Sequence, residues 1–130
     1  MKYTYSAVFT PIEDGSGYYC RIPDLPGCIT TGKTITDAID EITDAASIWL
    51  VGAEDDNAPI PAPTPQKLLH AGSEDLLSII RIDTIAYRAS IDTRAVRKNV
   101  SLPAWMARLA DKRGINCSQL LQESILTKLS

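Results

Sequence analysis

Apolar and polar positions change period twice along the chain, and each change marks a predicted element. Residues 3–11, YTYSAVFTP, are rich in β-branched and aromatic types and read as a strand. Glu13-Asp14-Gly15-Ser16-Gly17 is a turn, and Tyr18 to Ile22 is a second strand that closes a hairpin. Pro23-Asp24-Leu25-Pro26-Gly27 is a tight turn before a short third strand, Cys28 to Thr31, ending at Gly32. The period then lengthens. Ile35, Ala38, Ile39, Ile42, Ala45, Ala46 and Trp49 recur at helical spacing and define one buried face of a helix capped by Thr34 or Thr36 and fading near Gly52. Glu54-Asp55-Asp56 reads as its solvated exit. Four prolines in residues 58–65, APIPAPTP, enforce an extended connection rather than a recognition ligand. Leu76 to Asp83 returns as a strand that can continue to Ala86-Tyr87. The order β-β-β-α-β predicts a small α+β domain over residues 1–87, with the helix on one sheet face. Residues 88–93 form a short join, and residues 94–130 form a β-α-α unit.

That last unit carries the clearest chemistry. Val100 and Leu102 are two apart and turn to one side, which leaves Arg97, Asn99 and Ser101 on the other. Arg can grip a guanine edge bidentately, Asn can pair with adenine, and Ser can make either contact. Pro103 suits a first helical turn, and Met106, Leu109 and Ala110 form an apolar stripe beside Trp105. Lys112 and Arg113 favour a helix end, Gly114 stops it, and Asn116 caps a second helix carrying Leu120, Leu121, Ile125 and Leu129. The start of that helix, with Asn116, Cys117 and Ser118, can hold a DNA phosphate through backbone N–H groups. So small a unit cannot bury its own apolar face. Pairing with a second copy would give a two-stranded ribbon of the size that enters a major groove, and would cover an edge otherwise open to aggregation. A helix-turn-helix would need a basic second helix, but only Lys128 lies there.

Charge sharpens this division. The net charge of −3 conceals thirteen acidic against five basic groups in residues 1–87, a net of −8, and eight basic against three acidic groups in residues 88–130, a net of +5. A basic end suits nucleic acid, and an acidic end suits a basic partner. The hydrophobic fraction of 45% and charged fraction of 22% are those of a globular protein. No apolar run reaches the roughly 18 residues of a membrane span, and the start MKYTYSAVF lacks a signal-peptide core, so a cytoplasmic location is expected. Cys20, Cys28 and Cys117 lack metal-ligand spacing, and His70 is the sole histidine. The cysteines are expected to be reduced, partly buried small apolar residues, with no metal and no cofactor.

Together these segments resemble the HicB-family antitoxins. The C-terminal likeness rests on KNVSLPAWM and on Gly114-Ile115-Asn116-Cys117-Ser118-Gln119-Leu120, which are similar to ribbon-helix-helix repressors. The N-terminal likeness rests on Tyr19-Cys20-Arg21-Ile22-Pro23-Asp24-Leu25-Pro26-Gly27-Cys28, on Thr31-Gly32, and on the helix at Asp37-Ala38. The resemblance implies a toxin-binding domain with a degenerate RNase H-like fold over residues 1–87 and a ribbon-helix-helix DNA-binding domain over residues 94–130. It implies as partner HicA, a small basic RNA-cleaving toxin with a double-stranded-RNA-binding-like fold and a catalytic histidine. It also implies repression of the chain's own operon by a homodimer, or a higher even-numbered oligomer, on operator DNA. By position the DNA-facing strand residues fall on Arg97, Asn99 and Ser101. Arg94 and Lys98 complete the basic set, although Lys98 occupies a position that the family pattern makes inward and apolar.

Two other classes compete. An RNase H-like hydrolase would gather carboxylates around divalent metal. The candidates Glu13, Asp14, Asp24 and Asp83 fall in separate turns and strand ends, and no nucleophile motif accompanies them. Catalysis is therefore not expected. A stand-alone ribbon-helix-helix regulator with a ligand-sensing N-terminal domain fits the same segments without a toxin. A small, basic neighbouring reading frame would discriminate between these.

Overall fold

A computed structural model describes residues 1–130, which divide into two compact units, Lys2–Ile91 and Asp92–Ser130. The first holds β1 (Lys2–Pro11), β2 (Tyr18–Arg21), β3 (Ile29–Gly32), α1 (Ile35–Asp55), a 3-10 turn at Gln66–Leu68, β4 (Leu76–Asp83) and α2 (Thr84–Ile91). Its four strands form one antiparallel sheet in the order β3-β2-β1-β4. The first β-β-β-α-β order follows the sequence reading, and β4 returns to pair with β1 along its whole length, Lys2 opposite Asp83 and Phe9 opposite Leu76.

Alternation along the strands decides where the core sits. Tyr5, Ala7 and Phe9 of β1, Cys20 of β2, and Ile80 and Ile82 of β4 share a cluster with Ala38, Ile42, Ala46 and Leu50 of α1. One buried helical stripe thus covers one sheet face. The approach is close at β3, where a Cβ on Gly32 would stand 2.4 Å from the Ala38 backbone nitrogen. Thr34 caps α1 by accepting from Asp37 N at 3.1 Å. Leu25, at the tip of the Pro-Gly turn, plugs the same core, and Trp49 Nε1 donates to Pro26 O at 3.0 Å. The proline-rich stretch is a structural connection. Ile60 packs on the core, the Tyr5 hydroxyl donates to Pro61 O, and Asp24 accepts from Thr64 N at 2.8 Å and from its hydroxyl.

Three readings of this unit need correction. α1 does not fade at Gly52 but continues to Asp55, because Ala53 is buried and Glu54 has partners to meet. Glu54 is accordingly not part of a solvated exit. Its carboxylate accepts from the Tyr3 hydroxyl at 2.7 Å, the Thr84 hydroxyl at 2.9 Å and Arg88 at 3.1 Å, while Arg88 also meets Asp55 at 2.9 Å. Burial pushes the Glu54 carboxyl up, but hydrogen bonds from Tyr3, Thr84 and Arg88 outweigh it and hold the group below its usual range. Burial, then the bond to Glu54, raises the Tyr3 phenol to about 12. Finally, residues 84–91 are helix rather than strand extension and join. Asp83 ends β4 and at once accepts from Ile85 N and Ala86 N, both at 3.1 Å, so it turns the chain into α2.

The second unit holds α3 (Ala104–Lys112) and α4 (Cys117–Leu129). The stop and restart between them follow the sequence. Gly114 takes φ of 66°, a left-handed conformation suited to glycine, and Asn116 caps α4 by accepting from Gln119 N at 3.0 Å. Pro103 stands one position before the first helical residue and supplies the carbonyl for Met106 N at 3.0 Å. The strand expected over residues 94–102 does not form. β structure exists only as a ladder between two strands, and a single copy presents none to this segment.

Candidate functional site

The basic segment lies open. Arg94, Arg97, Lys98, Asn99 and Ser101 are all exposed. Arg94 is held by Asp92, with contacts of 3.0 and 3.1 Å, whereas neither Arg97 nor Lys98 has an ion pair. That distinction matters for chemistry. A guanidinium already gripping Asp92 keeps its charge but has committed its planar fork, while Arg97 has its fork free.

The helices behind this segment sort its side chains by alternation. Val100 and Leu102 line an apolar groove of about 350 Å³ with Met106, Leu109, Ala110, Ile115 and Leu120. Arg97, Asn99 and Ser101 are not among its lining residues. Ala110 is the sole buried residue in the unit, while Val96, Trp105, Leu109, Leu120 and Leu129 remain exposed, Val96 at 85%. A chain segment that leaves its helical apolar faces uncovered has not completed its core. At the start of α4, the Asn116 side chain is occupied as the cap, Cys117 and Ser118 are exposed, and Cys117 borders the apolar groove. The expectation of a partly buried Cys117 is therefore corrected, since the helix start turns it outward. Cys20 and Cys28 are buried, and burial raises the Cys28 thiol to about 11.

On the first unit, two surfaces stand out. The sheet face away from α1 buries Ser6 and Val8 at its centre but leaves Tyr19, Ile29, Leu77 and Ile79 exposed around them. Both parities of LLSIIRID are apolar, which is the sequence signal that could have found it. The second surface is a polar cleft of about 510 Å³ lined by Tyr19, Thr31, Gly32, Lys33, Asp37 and Glu41, with Ile12 and Ser16. Beside it α1 exposes Asp37, Asp40, Glu41 and Asp44, none of which has an ion pair.

The carboxylates considered for catalysis do not converge. Asp14 closes a turn by accepting from Ser16 N, Asp24 fixes Thr64, and Asp83 caps α2. Glu13 is exposed. No group of three or more His, Cys, Asp or Glu side chains is placed to hold a metal ion. No helix is long and apolar enough to cross a membrane.

Comparison with known proteins gives consistent matches. A family model described as "HicB_like antitoxin of bacterial toxin-antitoxin system" matches residues 5–124. Antitoxin HicB 1 of Photorhabdus laumondii is 34% identical over 61 residues, which cover 47% of this chain and 39% of that protein. A chain of a toxin–antitoxin complex from Streptococcus pneumoniae shares the fold with a TM-score of 0.61 at 22% identity, covering 98% of this chain and 99% of that one. The antitoxin HicB of Burkholderia pseudomallei superposes with a TM-score of 0.54 at 21% identity, over 98% and 99% of the two chains.

Proposed function

The chain belongs to the HicB-like antitoxin family of bacterial toxin–antitoxin systems, and from that membership we propose a division of labour between its two units. The Lys2–Ile91 unit neutralises a HicA-like, mRNA-cleaving toxin. Residues 94–130 form a ribbon-helix-helix with a second copy, and the dimer binds operator DNA to repress its own operon. Arg97, Asn99 and Ser101 read bases, Arg94 and Lys98 add charge, and Asn116, Cys117 and Ser118 position a phosphate through the start of α4.

The observation that carries this reading is the contrast between the units. The first has a closed core and a net negative surface. The second is basic, and its apolar residues await cover. A self-sufficient acidic module suits capture of a basic protein. A basic module that is complete only as a pair suits a two-fold DNA site.

Co-expression with the product of the adjacent small reading frame tests the first half. The expected result is a stable co-purified complex and restored growth. No complex, together with binding of a small molecule by the Lys2–Ile91 unit, would establish the stand-alone regulator instead. A gel shift on the chain's own promoter tests the second half. Absence of any retarded band at low salt would refute operator binding.

A further inference from the structure

β3 is an edge strand, paired only with β2. Ile22 N donates to Cys28 O at 3.1 Å, which fixes the phase of this ladder. Counting from that bonded pair, Cys20 and Thr30 form the next one, and the N–H and C=O of Thr31 turn outward. The polar cleft lies around this same edge. Tyr19 and Thr31 belong to the sheet face away from α1, whereas Asp37 and Glu41 belong to α1 on the other face, and the cleft joins the two sets at the end of β3, past Gly32 and Lys33, whose single cation leaves the rim net acidic. Ile29 and Tyr19 are exposed beside it, Ile29 at 65%.

We propose that the β3 edge receives an extended, basic segment of the partner protein, which adds a strand through Thr31 and sets its Lys or Arg side chains against Asp37, Glu41 and Asp44. This rests on the proposed toxin-neutralising role and locates it. Backbone bonds from an open edge supply affinity, and flanking side chains supply selection. The charge of the flank chooses the occupant. A second copy of this chain would bring its own Asp37 and Glu41 against these carboxylates, so like-charge repulsion opposes self-pairing here. The opposite edge, β4, is flanked by exposed Leu77, Ile79 and Arg81 and offers no such acidic rim.

The test uses the full chain and the co-expressed product of the adjacent reading frame. Thr31→Pro removes the outward N–H without touching the β2 ladder, a position where an edge strand tolerates proline. The double variant D37K/E41K leaves the edge intact and reverses its rim. Each should weaken the complex at least about tenfold, and the Ile79→Lys variant on the far edge should bind as wild type. Amide exchange at Thr31 should slow in the complex. If circular dichroism shows T31P to be unfolded, the double variant and the Thr31 exchange rate decide. A wild-type complex that tolerates D37K/E41K, or that leaves the Thr31 amide unprotected, overturns this placement alone. No complex with wild type overturns the toxin-neutralising role together with it.

Discussion

Replacing Glu54 tests whether the carboxylate between α1, β1 and α2 holds the first unit together. Its oxygens accept the Tyr3 hydroxyl at 2.7 Å, the Thr84 hydroxyl at 2.9 Å and Arg88 at 3.1 Å, with the Glu54 side chain only 14% exposed. A hydrogen bond to a charged group contributes about 1.5–3 kcal/mol. The lower value suits each of the two hydroxyl bonds in this part-buried setting. The Arg88 bond adds little, because that side chain is 39% exposed and keeps Asp55 at 2.9 Å. Glu54→Ala should therefore destabilise the unit by about 3 kcal/mol. Glu54→Gln, which keeps one neutral acceptor, should cost about 1 kcal/mol. Urea unfolding followed by circular dichroism measures both. The pH dependence gives a sharper check. The folded-state carboxyl titrates below its ordinary 4.5, so its contribution is present above that value and is lost as pH falls through the lower folded value. The Glu54→Gln penalty should be full at neutral pH and shrink below about pH 4.5. An Ala variant within about 0.5 kcal/mol of wild type would refute the reasoning, as would a Gln penalty that does not change with pH.

Three further outcomes follow from other parts of the molecule. Gly32→Ala should unfold the first unit or cost it more than about 2 kcal/mol, because the new Cβ would meet the Ala38 backbone at 2.4 Å and backbone cannot yield; thermal melting reads this out. Arg97→Ala and Asn99→Ala should each lose about 1–3 kcal/mol of operator affinity while the chain remains dimeric, and wild-type gel shifts for both would show that another segment reads the bases. Removing residues 92–130 should leave a folded Lys2–Ile91 unit that still restores growth in the presence of toxin, since its core draws on no residue beyond Ile82 apart from the α2 contacts; failure to rescue would place inhibition in the second unit or in dimerisation.

The legible parts of this chain were those where one periodicity decided the fold. The stripe from Ile35 to Trp49 translated directly into α1, because it buries the face its pattern presents, and the Leu76–Asp83 run translated into β4, although its two apolar parities left open which face, that of Ile80 and Ile82, is buried. Gly114 and Asn116 marked the α3–α4 break by local backbone chemistry alone. α2 was not legible. Asp83 serves as both last strand residue and helix cap, and the reward for forming the helix comes from Glu54, thirty residues away. The segment at 94–102 shows the same limit from the other side. Its alternation is plain in the sequence, but a strand needs a neighbour to bond to, and a single copy presents none to this segment. The polar cleft was also illegible, because Tyr19 and Glu41 meet only once β3 takes the sheet edge.

Ala110 is the only residue the second unit buries by itself, and this gives the two halves of one molecule different concentration dependence. Association stabilises by mass action, so the population of the proposed ribbon would rise with the amount of chain, whereas the closed core of the first unit forms in every copy. If the proposed ribbon binds the operator, its occupancy collapses as the protein is depleted while each surviving chain retains its sheet and helix. Transcription would resume before the reserve of inhibitor is exhausted, and the threshold for resupply would be set by how many apolar side chains a lone tail leaves wet.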